Sequence, residues 1–215
     1  MGLGLRTVNE LPPPYDGFEH IERFWDNGER ISTARVLPGE FYVTASEEMI
    51  ITTLGSCVSA CIRDPRTKVG GLNHFMLPLS DGEKNDSWIR QDAGAATRYG
   101  NFAMERLINE ILKRGARRSE LEVKVVGGGQ MYASRNQVGL QNITFVRAYL
   151  AAEGLAIASE DLGDIHPRQV RYFPRTGRMQ VRRLATPMAR GTNEREAAYQ
   201  AQLRQESMTG DIELF

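Results

Sequence analysis

Two strand-like apolar runs, Val58 to Arg63 and Val69 to Met76, are joined by Asp64-Pro65-Arg66-Thr67. This pairing constrains the fold more tightly than any other feature of the chain. Proline presets the backbone angle and the aspartate side chain caps neighbouring N–H groups, so the four joining residues read as a turn. The flanking runs then read as a hairpin. Immediately before it stands Ile51-Thr52-Thr53-Leu54-Gly55-Ser56-Cys57, a further strand-like run that ends in a small-residue turn. Gly70-Gly71-Leu72-Asn73-His74 lies on the second strand of the hairpin, with His74 seventeen positions after Cys57. A hairpin sets its strands face to face, so a thiol at the head of one and an imidazole on the other can meet. That matters chemically, because a thiol is a weak nucleophile at neutral pH until a base takes its proton.

Phe41 to Val43, Met49 to Leu54, Leu121 to Val126, Leu155 to Leu162, Val170 to Phe173 and Met179 to Leu184 also read as strands. A helix is expected from about Ala93, with Met104, Leu107, Ile108, Ile111 and Leu112 on one face and Gly115 as its C-terminal cap. Asn142 is expected to cap a second helix that Gly154 ends. Ser80 to Ser87 reads as a polar loop, and Gly177 sits in a turn between the last two strands. Antiparallel neighbours dominate, so the fold class is α+β, with helices covering a sheet. Residues 1–36 carry scattered aromatics without a period and read as an irregular N-terminal extension. Residues 37–186 form the main domain, and the Gln/Glu/Arg-rich stretch 187–215 reads as a mobile polar tail, with a short surface helix through Ala197 and Leu203 and a docking peptide at Ile212 to Phe215 as alternatives.

At 215 residues the chain is long enough for one domain with a full core. Its 27 basic and 27 acidic residues balance without a polybasic block, which argues against nucleic acid or an anionic membrane as partner. Met1 to Tyr15 lacks the apolar core of a signal peptide, and nowhere do eighteen apolar residues run together, so a cytoplasmic protein without membrane insertion is expected. In that compartment Cys57 and Cys61 are expected as free thiols.

A buried free cysteine is ordinarily a small hydrophobe, and Cys61, between Ala60 and Ile62, is assigned to the core on that ground. Cys57 differs because it follows Gly55-Ser56, where backbone N–H groups can point outward and hold an oxyanion. His74 has apolar neighbours and could be a satisfied core histidine. The chain's other histidines are placed less well, His20 in the irregular extension and His166 before Pro167. Zinc on Cys57, Cys61 and His74 would lack a fourth ligand at usual spacing, so no metal is expected. Gly127-Gly128-Gly129 has neither the GxGxxG pattern nor the lysine of a P-loop, and reads as close packing against the site strands.

Taken together, Leu54-Gly55-Ser56-Cys57-Val58, Arg63-Asp64-Pro65, Gly70-Gly71, His74-Phe75-Met76-Leu77-Pro78, the glycines before Gln130-Met131, and Glu160-Asp161-Leu162-Gly163 resemble the CheD family of chemoreceptor glutamine deamidases. The resemblance spans roughly residues 36 to 186. It implies a three-layer α/β/β sandwich similar to that of deamidating bacterial toxins, and a Cys–His–Thr triad. The nucleophile falls on Cys57 and the base on His74, with Gly55 and Ser56 forming the oxyanion turn. The threonine is expected six positions before the cysteine, where this chain has Ile51. A loop one residue shorter selects Thr52 and strand parity selects Thr53; Thr52 is the assignment made. The resemblance implies hydrolysis of receptor glutamines to glutamate without a cofactor, with chemoreceptor cytoplasmic domains as partners. It implies as an alternative a binding role on a CheC-type phosphatase. A cysteine hydrolase of other amides or esters is a third possibility.

Overall fold

The segment Val58–Arg63 is buried at every position but its last, so it is covered on both faces. A strand of that kind belongs in the middle layer of a sandwich. The computed structural model, which describes residues 11–78, 89–130 and 138–209, supplies both covers. In chain order the elements are β1 (Glu22–Asp26), β2 (Ile31–Arg35), β3 (Phe41–Thr44), β4 (Glu48–Leu54), β5 (Val58–Arg63), β6 (Gly70–Asn73), α1 (Ile89–Lys113), β7 (Glu122–Gly127), α2 (Val138–Ala152), β8 (Ile157–Leu162), β9 (Arg168–Phe173), β10 (Arg178–Arg183) and α3 (Thr186–Thr209). The loop read at Ser80 to Ser87 lies outside the described residues.

Two five-stranded sheets result, an outer one ordered β1-β2-β4-β9-β10 and a middle one ordered β3-β6-β5-β7-β8. Helices α1 and α2 pack on the middle sheet, against β3, β5 and β6. Its other face meets the outer sheet, where Leu54 approaches Gly127 and Tyr42 reaches Glu48. This is the expected α+β architecture in α/β/β order. Most strand pairs are antiparallel; β2 with β4 and β7 with β8 are parallel. The hairpin β5–β6 forms as expected, and Asp64 Oδ1 accepts from the N–H groups of Arg66 and Thr67 in its turn.

Three readings change. Residues 22–35 are not irregular: β1 and β2 pair as a hairpin at the edge of the outer sheet. Their polarity hid this, because the buried positions of β2 include Ser32 and Thr33. Asn142 does not cap α2, which begins at Val138; it lies inside the helix and is fully buried. The stretch read as a polar tail is helical over Thr186–Thr209, and its Thr192, Glu196 and Leu203 are buried. Polar residues at buried positions erase the hydrophobic period on which a helix assignment rests.

A carboxylate at the start of β4 ties the N-terminal hairpin to both sheets. Glu48 is buried and accepts from Arg23 Nε at 3.2 Å, Arg23 Nη2 at 2.5 Å, Ser32 Oγ at 2.9 Å, Tyr42 Oη at 2.9 Å and Thr44 Oγ1 at 2.7 Å. A buried charge is tolerable when its lone pairs are taken, as here, and removing one partner strands the rest. Glu48→Ala should therefore destabilise the fold by about 3–5 kcal/mol, read as a lower urea midpoint at unchanged slope. A loss below about 1 kcal/mol, the range of an exposed pair, would show that the cluster does not anchor the hairpin.

Candidate active site

The site forms where the chain leaves one sheet and enters the other. Strand β4 ends at Leu54 in the outer sheet and β5 begins at Val58 in the middle one, so Gly55, Ser56 and Cys57 make the crossing. Their turn is held from three sides. Gly128 N–H donates to the Cys57 carbonyl and Gly129 N–H to the Gly55 carbonyl, each at 2.7 Å. Asn142 donates through Nδ2 to the Ser56 carbonyl at 2.9 Å, while its Oδ1 accepts from Leu77 N–H at 2.9 Å. The glycine run thus packs on the turn as the sequence suggested, and Gly127, at φ +116, has the backbone freedom to make the approach. Asn142 links the cysteine turn to the histidine segment.

Register brings His74 alongside. Cys61 pairs with Leu72, and the same count leads to the bridge between Val58 and Phe75. His74 therefore stands opposite Ser59, and Ser59 shares a face with Cys57 two residues away. The diagonal neighbours of an antiparallel pair are within reach of long side chains. The sulfur of Cys57, a ring nitrogen of His74 and a carboxylate oxygen of Glu196 all lie within 4.8 Å of one another. Cys57 and His74 are buried.

Thr52 fixes the imidazole. Its hydroxyl donates to the Val36 carbonyl at 2.8 Å and lies 2.8 Å from His74 Nδ1. The hydroxyl has a single hydrogen, already given to a carbonyl that can only accept, so it must accept from Nδ1–H. In neutral His74 this leaves the lone pair on Nε2. Nε2 is buried and has no hydrogen-bond partner among the described residues. A histidine serving the core alone would be expected to satisfy both nitrogens. Thr53, the other candidate, alternates to the half-exposed side of β4. Cys61 lies within β5, fully buried, and burial lifts its thiol to about 12.

Sequence reasoning missed Glu196. Its Oε1 accepts from Gly55 N–H at 2.6 Å and Cys57 N–H at 3.2 Å, and its Oε2 accepts from Ser56 N–H at 2.8 Å and Ser56 Oγ at 2.7 Å. A Cβ at position 55 would lie 2.8 Å from Oε2, so a side chain there would require the Glu196 carboxylate to shift. The N–H groups of Gly55, Ser56 and Cys57 converge as an anion-binding nest. Cys57, His74 and Glu196 are spaced like metal ligands, yet four donors already use the lone pairs of the Glu196 carboxylate. This arrangement has no Glu196 electron pair to offer a metal.

Electrostatically the site is set to neutral forms. Burial first, then the charge and hydrogen bond of Glu196, push the Cys57 thiol well above its ordinary range. Burial pulls His74 down to about 4, against the opposing pull of Glu196 and of the Val36 carbonyl. With Glu196 in place, thiol and imidazole face each other uncharged at neutral pH rather than as the thiolate–imidazolium pair of an activated cysteine.

On one side of Glu196 a cavity of about 260 Å³ is lined by Val36, Thr52, His74, Gln169 and Thr192. A second cavity, of about 330 Å³, runs between Gly39, His74, Tyr99, Tyr199 and Leu203. His74 lines both cavities, and each far exceeds the space one water needs.

Among known proteins, a family model described as CheD chemotactic sensory transduction matches residues 76–183. Thr52, Cys57 and His74 precede that match, but whole-length relatives span them. A Halorhodospira halophila protein named "Probable chemoreceptor glutamine deamidase CheD" is 47% identical over 205 residues, covering 95% of this chain and 94% of its own. A Hydrogenovibrio crunogenus protein of the same name is 46% identical over 195 residues, 91% of this chain and all of its own. One from Bordetella petrii is 52% identical over 165 residues, 75% of this chain and 71% of its own.

The Nδ1–H tautomer is directly measurable, because the chain has three histidines to assign. Nitrogen-15 shifts of His74 at neutral pH should show Nδ1 protonated and Nε2 bare. Thr52→Val should shift the ring toward the other tautomer and Thr53→Val should leave it unchanged. A wild-type ring protonated at Nε2 would contradict the role given to Thr52.

Proposed function

The chain belongs to the CheD family, and from that premise we propose that it hydrolyses selected glutamine side chains on chemoreceptors to glutamate, through a thioester on Cys57. The observation that carries this reading is the bond between Thr52 and His74, which leaves the lone pair on Nε2 of a ring that has a nitrogen within 4.8 Å of a buried sulfur. The relatives' shared name supports the substrate. The reacting groups all fall within residues 37–186, which we take as the deamidase domain, completed at one sheet edge by β1 and β2.

In this mechanism the glutamine amide enters with its oxygen toward the N–H groups of Gly55, Ser56 and Cys57. Nε2 of His74 takes the thiol proton as sulfur attacks the amide carbon, and Thr52 holds the imidazolium through Nδ1–H. The negative oxygen settles on the nest, where donors already point at an oxyanion position. His74 then gives its proton to the nitrogen, the C–N bond breaks, and ammonia leaves. A water admitted through a flanking cavity loses a proton to Nε2 and attacks the thioester. Glutamate is released and the thiol restored, with one water consumed and one ammonia formed. The substrates reside on receptor cytoplasmic domains, so we place the protein in the cytoplasm; no helix among the described residues is long and apolar enough to cross a membrane.

Nucleophile and base act as a unit, so Cys57→Ala and His74→Ala should each lower the rate by about a thousandfold or more. Cys61→Ala should retain most of the activity. The measurement is mass spectrometry of a purified chemoreceptor cytoplasmic fragment after incubation with each variant. Near-normal turnover by His74→Ala, or loss in a folded Cys61→Ala equal to that of Cys57→Ala, would overturn the assignment.

A further inference from the structure

Glu196 occupies the position in which the proposed reaction ends. A γ-carboxylate, carried on a helix, lies with both oxygens on the donors of the Cys57 turn and within 4.8 Å of the sulfur. It is buried, and the partners that hold it are neutral N–H and O–H groups, the set that would hold a tetrahedral oxyanion. A contact between residues about 140 positions apart is not a local accident of chain connection. It belongs to an inward stripe on α3: Thr192, Glu196, Tyr199 and Leu203 recur at helical spacing. Tyr199 bonds to Tyr99 on α1 and packs over Gly39, and Leu203 is buried beyond it. Gly55 has the open space a carboxylate or amide requires, and Glu196 fills it.

We propose that the Gly55–Ser56–Cys57 nest is a binding subsite for a glutamate γ-carboxylate, and that Glu196 fills it as a product mimic held in cis, so that α3 must lift away before a receptor glutamine can enter. The product-mimic part rests on the deamidase reading above. In this state the carboxylate blocks the oxyanion donors and its charge opposes formation of thiolate. A nest filled nine-tenths of the time would slow every reaction that needs it about tenfold. Free receptor glutamate competes for the same donors, so the subsite also makes the enzyme subject to product inhibition.

The test uses the full chain. With iodoacetamide at neutral pH, Cys57 should be alkylated at least about tenfold faster in Glu196→Ala than in wild type, while buried Cys61 stays unreactive in both. Equal rates at Cys57 would overturn the proposal. Glu196→Gln makes a sharper demand, because it converts the product mimic into a substrate. The introduced amide should be hydrolysed in cis: sulfur displaces ammonia, water releases the acyl group, and position 196 returns to glutamate. The conversion should be visible in the peptide mass and absent when Cys57→Ala is added. An amide that persists at position 196 in a protein able to convert receptor glutamines would overturn the product-mimic assignment. Faster alkylation in Glu196→Ala with no glutamine converted on receptor or at position 196 would overturn the deamidase reading and the product mimic together. Receptor conversion with unaltered alkylation would overturn the product mimic alone.

Discussion

Everything at the site depends on one short crossing, from the outer sheet at Leu54 to the middle sheet at Val58. Three peptide groups must turn there between two packed layers, and their N–H groups are left unpaired by either sheet ladder. Buried backbone donors need partners. The chain satisfies the carbonyls of the crossing with Gly128, Gly129 and Asn142, which leaves the N–H groups free to converge on one anion. The same crossing delivers Cys57 beside the end of β6, where register sets His74. Cys57, His74 and the converging N–H groups are thus brought together by a single topological step.

The hydrogen bond through Thr52 gives that cluster a direction. Without it a buried imidazole could protonate either nitrogen; with it the acceptor lone pair is fixed on Nε2. Burial alone works against the chemistry, since it raises the thiol and lowers the imidazole. In the proposed mechanism, proton transfer from sulfur to Nε2 creates two charges where there were none, and the nest, once vacant, stabilises the charge that passes to the substrate oxygen. In the proposed mechanism the water for the final hydrolysis enters through the two cavities that His74 lines.

How much of this could be read from the chain varies with the kind of signal. The β5–β6 hairpin was legible because Asp64-Pro65 is local turn chemistry, and it carried Cys57 and His74 with it. Gly55-Ser56 was legible as a donor turn, whereas strand parity counted from the expected threonine position pointed to Thr53, and the hydroxyl beside His74 Nδ1 is that of Thr52. The edge hairpin was not legible, because its buried Ser32 and Thr33 are polar, and the partner of Ser32 is Glu48, sixteen positions away. Asn142 looked like a cap because asparagine favours caps; its bonds to Ser56 and Leu77 are set by tertiary packing that no local rule contains. Glu196 was the least legible of all. A glutamate in a polar helix normally faces water, and its burial follows only from the unpaired donors that await it across the fold.

The central claim is that Cys57 forms an acyl bond with a glutamine side chain. It is tested most directly by mixing the full chain with a purified chemoreceptor cytoplasmic fragment, quenching in acid within the first turnover, and mapping the covalent adduct by mass spectrometry. The account predicts a thioester joining Cys57 to a receptor glutamyl group, lost on treatment with hydroxylamine. Receptor glutamate forming at full rate with Cys57 never acylated would contradict it.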